Sequence, residues 1–141
     1  MTQVFFYYDA SDRIAAAAVL IGKAFAQKKA LLVFAPEAAV ADAIDRQLWL
    51  HPPGSFVAHV RADSPLAAET PVVITRQLEQ PQQCERLFSL ADEIPEGAER
   101  FASIIEVVGD DSEARSAGRE RVRRYRERGF AVSFVDLAGR G

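Results

Sequence analysis

The sequence predicts an α/β protein, a single three-layer α/β/α domain built on a mixed, largely parallel sheet. Three observations point there. Short apolar runs bounded by acids or turn residues recur along the chain: QVFFYY at 3–8, ALLVF at 30–34, PVVIT at 71–75, SIIEVV at 103–108 and FAVSFVDL at 130–137. That is the pattern of buried strands. The first two runs are each followed by an alanine-rich segment, so strand, helix, strand and helix fit within the first fifty residues. That order favours a parallel pair joined by a right-handed crossover. Finally, 141 residues with 49% hydrophobic content suffice for one domain, 1–141, and no internal repeat, low-complexity tract or linker divides it.

The elements follow in order. Ser11 to Lys29 reads as a helix of strong intrinsic propensity, with Ile14, Val19, Leu20 and Phe25 as its apolar face and Ser11 or Asp9 as its N-cap. Pro36 suits the first position of a second helix reaching Leu50. Pro52, Pro53 and Gly54 then break the chain, and Ser55 to Val60 reads as a short strand. Residues 61–70 form a loop, and Pro71 opens the next strand, where a missing N–H is tolerated. A polar connection at 76–83 leads to CERLFSL (84–90), a further strand, and Pro95 and Gly97 bracket a turn or a single helical turn before 103–108. Asp111 or Ser112 caps a last helix rich in arginine, Gly129 takes the position just past its end, and residues 130–137 close the chain as a strand.

Composition narrows the function. No apolar run approaches the roughly 20 residues that span a bilayer, the longest being Ile14 to Phe25, broken by Gly22 and Lys23. The start, MTQVFFYYDASD, lacks the basic region of a signal peptide. Cys84 is the one cysteine, which rules out an intramolecular disulfide, fits a reducing cytoplasm and is read as a packing residue.

Phosphate-binding glycine loops (GxGxxG, GxxxxGK[ST]) follow neither early strand, so the fold is expected to be Rossmann-like without its nucleotide site. His51 and His59 lack the companions of a zinc site, and no GxSxG elbow is present. Asp9 and Asp12 are read as turn and cap residues rather than as a catalytic or magnesium site. These readings give no catalytic residue, no metal and no cofactor, and an enzyme on this scaffold rests on fold analogy alone.

The unusual feature is charge. Seven arginines and three acids leave Glu113–Arg128 at +4, against −3 for the whole chain, so the remainder carries −7. On a helical wheel Arg115, Arg119, Arg123 and Arg126 share a face about 80° wide. Ala114, Ala117, Gly118, Val122 and Tyr125, with Arg121 among them, form the adjoining face that packs on the sheet. Arg124 and Arg128 lie on the solvent side with Glu113, Glu120 and Glu127, where Glu120 and Arg124 can pair at i and i+4. The first stripe has no acid interleaved at helical spacing and so calls for an anionic partner. Guanidinium suits carboxylate or phosphate through its planar fork. The acidic remainder, with pI near 5.4, favours a compact anion over a long polyanion. Direct nucleic-acid binding by this helix is the alternative, with no stacking aromatics along the stripe to support it.

In order and spacing, VFFYY followed by a helix, ALLVF, LWLHPPGSFVAH, TPVVI, EVV and RERVRRYRERGF resemble the chi subunit family of bacterial DNA polymerase III, an accessory of the clamp-loader complex. The resemblance runs nearly end to end. It implies a non-catalytic bridge between the replicase and single-stranded-DNA-binding protein, whose acidic C-terminal tail ends in a hydrophobic residue with a free carboxylate. It places the tail-binding residues at Arg115, Arg119 and Arg123, with Val122 where the family commonly carries an aromatic. It implies a second surface around Trp49 and Phe56 for the psi subunit, or for another replisome or helicase partner. No base-specific contact with nucleic acid and no membrane are implied.

Overall fold

A computed structural model describes residues 2–50, 58–67, 70–79, 81 and 85–137. Along the chain run β1 (Gln3–Ala10), α1 (Arg13–Ala26), β2 (Leu31–Phe34), α2 (Ala38–Trp49), β3 (His59–Arg61), β4 (Val72–Thr75), β5 (Arg86–Ser89), β6 (Ser103–Gly109), α3 (Ser112–Glu127) and β7 (Ala131–Asp136). The strands form one seven-stranded open sheet in the order β3-β4-β2-β5-β6-β1-β7. Each described pairing is parallel, so the largely parallel sheet expected from the sequence is parallel throughout.

Two apolar clusters make the three layers. Ala17, Ala18 and Ile21 of α1 and Ala41, Ile44 and Leu48 of α2 pack on one face, against Leu31, Val33, Ile74 and Phe88. Val4, Phe6, Leu32, Ile104 and Val108 face the other way, under Tyr125 of α3. Strand alternation explains the division: Leu31 and Val33 point to the first layer and Leu32 to the second. Fully burying one such leucine or phenylalanine stabilises the fold by about 1.5–3 kcal/mol.

Several local expectations change in detail. The cap of α1 is Asp12, whose carboxylate accepts from the Ala15 amide at 3.1 Å, rather than Ser11 or Asp9. The buried stripe of α1 is made by Ala17, Ala18 and Ile21, while Val19 faces solvent. Small residues win there because α1 must lie close to both α2 and the sheet. The second helix starts at Ala38 with Glu37 at its N-cap, so Pro36 stands outside it, its carbonyl accepting from Arg76. The turn near Pro95 and Gly97 is a single 3-10 turn, Ala98–Arg100, entered through Gly97 at φ +84°.

At α3 the capping expectations agree with the structure. The Asp111 carboxylate accepts from the Ala114 amide at 2.8 Å. Beyond the helix, Gly129 turns left-handed at φ +86°. Its amide reaches the Arg126 carbonyl and that of Phe130 the Tyr125 carbonyl. These two bonds, with the Tyr125 and Phe130 rings 5.3 Å apart, form a Schellman motif. It ends the helix and aims the chain into β7.

Candidate functional site: the groove between α3 and the sheet edge

The helix is held to the sheet by a buried ionic anchor. Arg121 is 7% exposed and Glu106, on β6, is 1% exposed. Arg121 Nε donates to Glu106 Oε1 at 2.6 Å and its Nη1 to the Asp92 carbonyl at 3.0 Å, while the Tyr125 hydroxyl donates to Glu106 Oε2 at 2.6 Å. Burial pushes the Glu106 carboxyl up, and Arg121 and Tyr125 pull against it. The Tyr125 hydroxyl is pushed up, first by burial and then by the carboxylate beside it. Both carboxylate oxygens and two faces of the guanidinium are thereby satisfied, which fixes the rotation of α3 about its axis. Close approach needs Gly118, where a Cβ would meet Val108 Cγ1 at 3.1 Å.

With that rotation set, the outer side of α3 and the strands β1 and β7 enclose an open groove of about 570 Å³. Phe6, Tyr8, Val108, Val122 and Phe134 give it an apolar floor, and Asp9, Arg115 and Arg119 a charged rim. A second hollow continues along the helix past Arg123, Arg126 and Glu127, sharing Arg119, Val122 and Phe134. The four residues expected at the tail site, Arg115, Arg119, Val122 and Arg123, therefore meet along one groove system.

Their electrostatic states differ from the expectation of an uncompensated stripe. Arg123 bonds Glu120, and Glu127 at 2.7 Å, because residues three and four apart on a helix are neighbours, and their long side chains bridge the roughly 40–60° that separates them on the wheel. The hydrogen bonds from Arg123 and then Arg124 hold the Glu120 carboxyl below its usual range. The expected Glu120–Arg124 pair forms at 3.2 Å. Arg115 Nη2 lies 3.1 Å from Asp9 Oδ1. Arg126 places its guanidinium 5.5 Å over the Phe134 ring, within cation–π range. Arg119 is exposed and, among the described residues, has no acid partner.

Sequence reasoning missed Phe134, Phe6, Tyr8 and Asp9. Phe134 is half exposed, its ring 6.2 Å from Phe6 and 6.4 Å from Tyr8. It supplies an aromatic beside Val122. Alternation in QVFFYY and FAVSFVDL put these rings on one face of their strands, but only the neighbouring of β1 and β7 brings them together. Asp9 sits at φ +62°, left-handed, where the β1–β6 register shifts between Tyr7 and Ala10. Aspartate tolerates that conformation better than most residues. Ala117, expected on the packed face, is exposed.

Of the second expected surface, Trp49 ends α2 with 60% of its surface exposed, its ring 4.7 Å from that of His59, and Leu50 beside it is 69% exposed. His59 Nε2 is 2.9 Å from Asp45 Oδ1. Phe56, like His51 and Cys84, lies outside the described residues. Among the described residues no His, Cys, Asp and Glu cluster is arranged to hold a metal ion, and no helix is long and apolar enough to cross a membrane.

Comparison with known proteins identifies the family. Residues 1–133 match the family described as DNA polymerase III chi subunit, HolC. The chain is 30% identical over 113 residues to the DNA polymerase III subunit chi of Haemophilus influenzae, covering 77% of this chain and 76% of that protein. It is 29% identical over 136 residues to the subunit chi of Pseudomonas aeruginosa, covering 94% of each. The chain belongs to the DNA polymerase III chi subunit family, a family of replication accessory subunits.

Proposed function

We propose that this chi-family chain is a non-catalytic, cytoplasmic link between the DNA polymerase III clamp-loader complex and single-stranded-DNA-binding protein, gripping the acidic C-terminal tail of the latter in the groove beside α3. The observation that carries the reading is Arg119, a cation without an acid partner among the described residues, set at the rim of an apolar floor that includes Val122 and Phe134. A peptide that ends in an apolar residue with a free carboxylate, preceded by acids, offers complementary groups to both parts. Capture of a terminal carboxylate with flanking charge is a recurring mode of peptide recognition.

In this reading Arg119 takes the tail's carboxylates through charge-assisted hydrogen bonds. Arg115 and Arg123 add positive field and can exchange their present acids for those of the tail. Val122 and Phe134 receive the last side chain. Trp49 and Leu50, exposed at the end of α2 on the far side of the sheet, belong to a separate surface. We assign it, with Phe56, to psi or to another replisome or helicase partner.

The test is fluorescence anisotropy with a labelled peptide ending in Asp-Asp-Asp-Ile-Pro-Phe, beside a peptide lacking the final Phe and the Arg119→Glu chain. Saturable binding lost in both controls supports the reading. Binding to a single-stranded oligonucleotide that matches or exceeds binding to the peptide would replace it with direct nucleic-acid binding by α3.

A further inference from the structure

The sheet ends in two unlike edges. At one, β3 has three residues, and Arg61 is tied to Asp42 at 2.7 Å and to Asp45 at 3.3 Å. Short, charged edges resist pairing with another chain. At the other, β7 has six residues, AVSFVD, with no proline, no lysine and no bulge in its pairing with β1. It is the least protected edge among the described residues, and it borders the most basic helix of the chain.

The phase of its ladder is fixed at both ends. The Ala131 amide donates to the Thr2 carbonyl at 3.2 Å and the Leu137 amide to the Tyr8 carbonyl at 3.0 Å. In a parallel pair alternate residues bond the neighbour, so Ala131, Ser133 and Val135 turn their backbone groups toward β1. Val132 and Phe134 turn theirs outward, to the open edge. Their side chains point to the α3 face, where Phe134 lines the groove with Arg119 and Arg126 and Val132 packs on the adjoining core.

We infer that β7 accepts an extended acidic peptide as an eighth strand of the sheet, its backbone bonding the outward groups of Val132 and Phe134 while its side chains meet the arginines of α3. Charge selects this occupant. A second copy pairing edge to edge would bring two +4 helices side by side, whereas a strand of aspartates brings the opposite sign. Main-chain pairing supplies affinity without sequence demands, and the adjacent groove supplies selectivity. Six strand residues extend about 20 Å, enough for a short tail segment. This inference rests on the reading of the groove as an acidic-tail site and adds how the tail lies.

Amide hydrogen exchange by NMR with the same unlabelled peptide tests it. The amides of Val132 and Phe134 are expected to slow at least tenfold on saturation, whereas those of Ser133 and Val135, already in the β1 ladder, change little. Val132→Pro removes one outward donor and leaves the β1 ladder intact, since an edge strand tolerates proline there. It should weaken peptide binding about five- to tenfold relative to Val132→Ala, the order expected for one lost hydrogen bond. Peptide binding with unchanged exchange at Val132 and Phe134, or equal affinities of the two variants, overturns strand addition alone. A wild-type chain that does not bind the peptide overturns both this inference and the reading beneath it. Protection that rises with protein concentration in the absence of peptide assigns the edge to a second copy and also overturns it.

Discussion

The Arg121 guanidinium and the Glu106 carboxylate meet at 2.6 Å in the layer between α3 and β6, both almost fully enclosed. This pair decides which arginines of α3 reach the groove. It also explains why one arginine of a basic helix faces inward: the sheet presents it with an acid that has no access to water.

Removing one partner leaves the other charge buried. Arg121→Ala should destabilise the fold by about 3–5 kcal/mol, the range for breaking a buried ion pair, measured as the shift in a urea unfolding curve. Replacing both members together, as Glu106→Leu with Arg121→Met, should cost clearly less than Arg121→Ala. Equal costs would mean that the pair does not act as a unit.

Asp9 offers the groove its own carboxylate, 3.1 Å from Arg115. An anionic ligand at the proposed site would compete with it. Asp9→Asn keeps a side chain that tolerates the left-handed backbone and removes the charge, so affinity for the acidic peptide should rise several-fold in anisotropy titrations. A fall in affinity would show that Asp9 instead holds Arg115 in place for the ligand.

Phe134 is half exposed, so its loss should be felt in binding more than in folding. Phe134→Ala should lower peptide affinity about tenfold, as for an aromatic contact at the centre of an interface, with a melting temperature close to that of the parent. A variant that unfolds with unchanged affinity at low temperature would remove Phe134 from the site.

Screening bears on the same contacts. Because exposed charges lose most of their attraction beyond about 8 Å at 0.15 M salt, peptide affinity should fall steadily as salt is raised from low concentration. An affinity independent of salt, measured by calorimetry, would assign the grip to apolar contact alone.

How much of this was legible in the sequence depends on the range of the contacts. Strands and helices were, because periodicity and capping are local: Asp111, Gly129 and the apolar runs are enough to place α3, β6 and β7. The stripe of Arg115, Arg119 and Arg123 beside Val122 was legible for the same reason. The ion pairs of Arg123 were misjudged although Glu120 and Glu127 stand three and four positions away, the spacing at which side chains meet on a helix; grouping residues by face alone overlooked it. Phe134 and Asp9 were missed because their part in the groove depends on the strand order β6-β1-β7, which separates sequence neighbours and joins residues more than a hundred positions apart. The partner of Arg121 was hidden likewise, since SIIEVV alone reads as a buried strand with one acid and does not say what faces it.

In the proposed tail site the groove-facing Arg119, rather than the positive charge of α3 in general, binds the acidic tail. Arg119→Ala and Arg124→Ala remove the same charge from the same helix, but Arg124 lies on the solvent side, paired with Glu120. Titrated side by side against the tail peptide, Arg119→Ala should lose about tenfold or more in affinity, as for a charge-assisted hydrogen bond, and Arg124→Ala no more than about twofold. Equal losses in the two variants would contradict the groove and leave only the electrostatic field of the helix.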